Sequence, residues 1–247
     1  MQGTVNPRFD STPENSSLAR MIIAPSLLAG DFGKIAAEAR RIEKAKADWI
    51  HLDIMDGHFV PNISFGPQVV RVVREQTKIP LDVHLMCSRP EILLEPFAKA
   101  GADRMTVHIE LGAAKVNDLI WKIRQLKKPV GLAINPPTVI NEVEQFLDRI
   151  DLLLIMTVNP GFGGQPFIHE TVPKIQQAAG WRGRKRLNFQ IEVDGGINFE
   201  TAAECARCGA DTFVSGTGLL QHTRLKSAIS KMRQLAEVAY VEGLNQP

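Results

Sequence analysis

The sequence predicts an α/β protein closed as a single (β/α)8 barrel of the TIM type. Three observations carry that expectation. The chain has 247 residues, close to the roughly 250 of one such barrel. Short apolar runs alternate with longer amphipathic stretches, as a chain of strands and crossover helices requires. The short runs number eight, the count that closes the barrel.

In chain order the runs are Met21–Pro25, Trp49–Ile54, Pro80–Met86, Arg104–Ile109, Pro129–Ile134, Asp151–Val158, Leu187–Val193 and Thr212–Ser215. Leu152 to Met156 is apolar at every position. A strand of a parallel sheet is covered on both faces and loses the alternation of a half-exposed strand. The stretches between have helical period. Ile35, Ala39, Ile42 and Ala45 form one stripe, and Leu225, Ile229, Met232 and Leu235 another. Gly101 and Gly209 stand where helix C-termini are expected. An open doubly wound sheet is the alternative. Its Gly-x-Gly-x-x-Gly turn is missing, because the first run ends in Ala24-Pro25-Ser26.

Residues 1–20 carry Pro, Asn, Ser, Thr and Asp and no apolar stretch. They read as a flexible extension before one domain over 21–247, and not as a signal peptide. Hydrophobic residues make up 44% and charged residues 23%, so the core is large enough to need no disulfide or metal. Net charge is +2, which gives no general basic footprint for nucleic acid. The basic run Arg182, Arg184, Lys185 and Arg186 reads as a solvated loop. No run reaches the ~20 apolar residues of a membrane span. Cys87, Cys205 and Cys208 form no disulfide framework or four-ligand zinc site, so a reducing, cytoplasmic setting is expected.

The chemistry gathers at the C-terminal ends of the runs. In His51-Leu52-Asp53 the two polar residues are two apart and share a face. Asp82 and His84 repeat the device one strand later. A lone strand histidine reads best as a core residue with a carboxylate partner. Two neighbouring strands with matched His and Asp favour a metal site. Asp194 ends the seventh run, followed by Gly195 and Gly196. Barrel enzymes build their sites on that rim, although Asp-Gly is also a common turn. The loops Gly161-Phe162-Gly163-Gly164 and Ser215-Gly216-Thr217 offer backbone N–H groups to an anion in late positions. Ser26 stands at the tip of the first strand, as a substrate contact or a cap.

Together APSLLAGDF, WIHLDIMDGHFVPNISFGP, DVHLM, VNPGFGGQPF and EVDGGI resemble the ribulose-phosphate 3-epimerase family, and so a barrel of the ribulose-phosphate-binding type. The resemblance implies His51, Asp53, His84 and Asp194 as ligands of one divalent metal per subunit, with Asp53 and Asp194 as the two acid–base catalysts. It implies substrate contacts from Ser26, His84, Gly161, Phe162, Gly163, Gly164, Gly195, Gly196, Gly216 and Thr217. Met55, Met86 and Met156 match methionines lining the pocket. An N₂O₂ donor set suits Zn2+ first, and also Fe2+, Mn2+ or Co2+. The expected reaction turns D-ribulose 5-phosphate into D-xylulose 5-phosphate. A proton leaves carbon 3 on one face, an enediolate forms, and a proton returns on the other face. The expected assembly is a homo-oligomer, a dimer or hexamer. The alternatives are a 3-epimerase for a hexulose phosphate such as allulose 6-phosphate, a metal-independent lyase or decarboxylase on a phosphate-binding barrel, and a non-catalytic barrel that senses a sugar phosphate.

Overall fold

The computed structural model describes residues 20–245. Most of the expected extension, 1–19, and the last two residues of the expected domain lie outside the described residues.

Among the described residues eight strands form in chain order: β1 Ile22–Pro25, β2 Ile50–Met55, β3 Leu81–Met86, β4 Arg104–His108, β5 Val130–Ile134, β6 Leu152–Met156, β7 Gln190–Asp194 and β8 Thr212–Ser215. All pair in parallel, in the order β1-β8-β7-β6-β5-β4-β3-β2. A parallel bridge from Ser26, just past β1, to His51 of β2 closes the ring. The helices are α1 Ile35–Lys44, α2 Pro67–Gln76, α3 Leu94–Ala100, α4 Ala113–Gln125, α5 Val172–Arg184, α6 Phe199–Arg207, the four-residue α7 Thr217–Leu220 and α8 Leu225–Leu244.

Alternation along each strand sorts side chains onto two faces. Leu52, Val83, Val107, Leu153, Ile191 and Phe213 pack outward in the large core beneath the helices. The lumen is divided. Ala24, Ala133, Leu154, Met156 and Val214 make a separate apolar cluster on one side. Across it His51, Asp53, Asp82, His84, Thr106, His108 and Glu192 are all buried. The polar half comes from β2, β3, β4 and β7.

Three details depart from expectation. The β5–β6 crossover carries a 3-10 helix, Ile140–Phe146, and no α-helix. Its buried residues are Ile140, Val143 and Phe146. Their spacing of three matches three residues per turn. In α8, Leu235 is exposed and Ala236 is fully buried in its place. The stripe drifts because 3.6 residues per turn do not repeat on a fixed step. The basic run is only in part a solvated loop: Lys185 and Arg186 are exposed in the turn after α5. Arg182 and Arg184 lie in the last turn of α5, where cations suit the helix dipole. Arg182 pairs with Asp211 and donates to the carbonyls of Phe189 and Gly209, each at 3.1 Å.

Candidate active site and metal centre

The site sits at the C-terminal mouth of the barrel. Register fixes its floor: His51 lies opposite Asp82, Asp53 opposite His84, and Met55 opposite Met86. Ser64 holds the end of β2 by donating to the Asp53 carbonyl and accepting from the Met55 N–H at 3.0 Å. Asp194, the last residue of β7, faces the same space.

Four side chains converge. The nearest donor atoms of His51, Asp53, His84 and Asp194 all lie within 4.8 Å of one another. His51 Nε2 and His84 Nδ1 each lie 3.2 Å from Asp53 Oδ1, and His51 Nε2 lies 4.0 Å from Asp194 Oδ2. Both imidazoles are held from behind. His51 Nδ1 is 2.8 Å from Asp82 Oδ2. His84 Nε2 is 2.8 Å from His108 Nε2. A ring fixed at one nitrogen and aimed by the other is how imidazole ligands are oriented at metals. Two imidazoles and two carboxylates with their free lone pairs directed at one point fit a divalent cation.

The electrostatics divide the carboxylates. Burial pushes Asp53 up, but the His51 charge and hydrogen bonds from His51 and His84 outweigh it and hold Asp53 well below the usual carboxylate range. Burial, then the negative charge of Asp53, pushes Asp194 up to about 7. Burial lowers His84 to about 4. His51 is raised, because the charges and hydrogen bonds of Asp53 and Asp82 outweigh burial.

A pocket with an empty volume of about 570 Å³ opens above the four. Ser26, Asp53, Asp194, Met55, Met86 and Met156 line it, with Gly161, Phe162, Gly163, Gly164, Gly195, Gly196, Gly216 and Thr217 on the rim. The residues singled out from the sequence therefore reach the pocket, except His51 and His84, which are fully buried, and Asp82 and Ser215, which are also buried. Ser26 has two partners: its Oγ donates to Asp53 Oδ2 at 2.6 Å and accepts from the Leu28 N–H at 3.2 Å. It is a cap and a contact of a site carboxylate at once. Gly195 and Gly196 have φ of 118° and 64°. A Cβ on Gly196 would approach the Phe167 backbone N to 2.7 Å, so the β7 turn leaves room only for glycine. Asn62 Nδ2 donates to the Gly161 carbonyl at 2.7 Å, tying the loop after β6 to the loop after β2.

Sequence reasoning missed His108, Glu110 and Glu192. His108 shares its strand with no other His or Asp, so no matched pair marked it. Glu110 lies past the strand end. Glu192 stood beside Asp194 unremarked. It is fully buried and neither of its oxygens has a hydrogen-bond partner. Burial, then the charge of Asp82, raises it well above the usual range. In its protonated form it can donate to Asp82, whose Oδ1 is also unpartnered.

Fold and site together define an α/β barrel with a glycine-rich rim and a candidate cation centre at its mouth. The family model described as "Ribulose-phosphate 3 epimerase family" matches residues 22–220. The chain is 45% identical over 214 residues to the ribulose-phosphate 3-epimerase of Bacillus subtilis (strain 168), covering 85% of this chain and 97% of that one. It is 42% identical over 214 residues to the enzyme of the same name from Synechocystis, covering 86% and 93%. The chain belongs to the ribulose-phosphate 3-epimerase family. A solved 3-keto-L-gulonate-6-phosphate decarboxylase from Vibrio cholerae superposes with a TM-score of 0.65 at 15% identity, over 89% of this chain and 98% of that one. At that identity the likeness is one of fold. Among the described residues no helix is long and apolar enough to cross a membrane.

Proposed function

We propose that this chain interconverts D-ribulose 5-phosphate and D-xylulose 5-phosphate by two-base proton transfer at carbon 3, with one divalent cation, Zn2+ first, held by His51, Asp53, His84 and Asp194. The observation that carries the reading is the pair of site carboxylates on β2 and β7, one held ionised and the other raised to about 7. An epimerase needs that pairing, a base on one face of the reacting carbon and an acid on the other. When bound, the cation supplies Lewis-acid withdrawal of electrons from the substrate oxygens.

The chain's own residues do the rest. Asp53 takes the carbon 3 proton, and Ser26 fixes its angle through the 2.6 Å hydrogen bond. Asp194 delivers a proton to the opposite face, and the two exchange roles in the reverse direction. Met55, Met86 and Met156 wall the reacting carbons with thioethers that carry no exchangeable proton. Gly161, Gly163, Gly164, Gly195, Gly196, Gly216 and Thr217 receive the phosphate on backbone N–H groups, and Phe162, 54% exposed, covers the mouth. The family resemblance supports a homo-oligomer, a dimer or hexamer, and the free thiols of Cys87, Cys205 and Cys208 support a cytoplasmic setting.

The test is a coupled assay of ribulose 5-phosphate conversion, with deuterium uptake at carbon 3 read in D₂O. Asp53→Asn and Asp194→Asn are each expected to lower kcat by at least about a hundredfold with unchanged circular dichroism. Substantial turnover in either variant overturns the two-base scheme.

A further inference from the structure

Behind His84 runs a chain of contacts that leaves the cation site and ends on a carboxylate outside it. His84 Nε2 meets His108 Nε2 at 2.8 Å, and His108 Nδ1 meets Glu110 Oε2 at 2.9 Å. Both rings are fully buried, and the Phe59 ring packs against His108 with centroids 4.7 Å apart. The other Glu110 oxygen is engaged elsewhere: Oε1 accepts from the Asn135 N–H at 2.8 Å and from Thr138 Oγ1 at 2.6 Å.

Two imidazoles in contact can pass their hydrogen either way, so the His84–His108 pair alone does not choose a direction. Glu110 chooses it. An ionised carboxylate only accepts. Burial raises Glu110, but the hydrogen bonds it accepts from His108, Thr138 and the Asn135 N–H outweigh that and lower it. The His108 hydrogen must then sit on Nδ1, which leaves Nε2 as an acceptor. The His84 hydrogen must sit on Nε2, which leaves the Nδ1 lone pair facing the cation site.

We propose that Glu110 and His108 are positioning residues that set the tautomer of His84 from two rings away, so that its Nδ1 is available to a metal. This rests on the cation site of the proposed function and extends it to residues outside the ligand set. In Glu110→Gln the amide oxygen stays on the Asn135 N–H, which needs an acceptor. The NH₂ then faces His108 Nδ1 as a donor. Both rings must reverse, and His84 Nδ1 carries a hydrogen into the cation site. Glu110→Ala removes more atoms but imposes no direction, so the rings remain free to choose.

The experiment measures Zn2+ affinity by chelator competition on the full chain, with ¹⁵N imidazole spectra of the Zn2+-loaded protein. Wild type is expected to show hydrogen on His84 Nε2 and His108 Nδ1. Glu110→Gln is expected to weaken Zn2+ by about 10- to 100-fold, and by more than Glu110→Ala. A residue that merely supported the fold would give the opposite order. His108→Leu leaves the His84 Nε2–H without an acceptor and is expected to weaken Zn2+ about tenfold. This second variant decides the matter if Glu110→Gln does not fold. Hydrogen on His84 Nδ1 in wild type, Glu110→Gln within twofold of wild type, or undiminished affinity in His108→Leu overturns the relay and leaves the cation site standing. Wild type that binds no divalent cation overturns the site and the relay together.

Discussion

Single side chains here are controlled by what stands directly behind them. Asp194 shows the effect in the cation-free protein. Its folded pKa of about 7 lies above the roughly 3.9 of an unfolded Asp. The folded chain therefore keeps a proton that the unfolded chain releases first, and stability falls as pH rises from about 4 toward 7. Chelated protein is expected to unfold at lower urea at pH 6 than at pH 4.5 from this group. Asp194→Asn should remove that contribution, leaving the part due to Glu192, raised in the same sense, and the opposing part due to His84, lowered to about 4. An unchanged slope in the variant would count against the buried, proton-holding Asp194. His51, Asp53 and Asp194 were legible in the sequence because a strand repeats every two residues and a rim position follows from a strand end. The His84–His108 contact was not, because it joins two strands, and Glu110 was not, because it lies in the 3-10 turn past the end of β4. Ser26 was half legible: its capping and its contact with Asp53 are both real.

At the level of elements, the apolar runs placed every strand, since each carries side chains buried on both faces. The run from Leu187 began early, because β7 starts only at Gln190. Apolarity marks burial, and Leu187 and Phe189 are packed against the core before the ladder begins. The β5–β6 crossover escaped because a period of three looks like a short helical stripe. α8 offers a direct check on how a stripe is read. Met232 is fully buried and Leu235 is exposed. Met232→Ala is expected to destabilise by about 2–5 kcal/mol, and Leu235→Ala by no more than about 0.5 kcal/mol. Chemical denaturation would show it, and equal costs would mean that α8 is rotated from the packing described.

For the whole molecule, an ion at the candidate centre would tie the closed ring together, because the four candidate ligands come from β2, β3 and β7. An ion bound only by the folded state, at about a hundred times its Kd, adds about 2.7 kcal/mol. In a domain of this size each kcal/mol moves Tm by about 2–4 °C. Removing the metal is therefore expected to lower Tm by about 5–10 °C in a calorimetric scan. No shift would mean that no cation bridges these strands. The barrel was legible as a whole because eight runs leave few ways to bury both faces of each. The split of its lumen into an apolar and an ionisable half was not, since that depends on which strands become neighbours. The ribosome releases His51, Asp53 and His84 early and Asp194 late, with the last glycines of the rim later still. A nascent chain thus carries three of the four candidate ligands well before the fourth, and the candidate cation centre is complete only once β7 has been made.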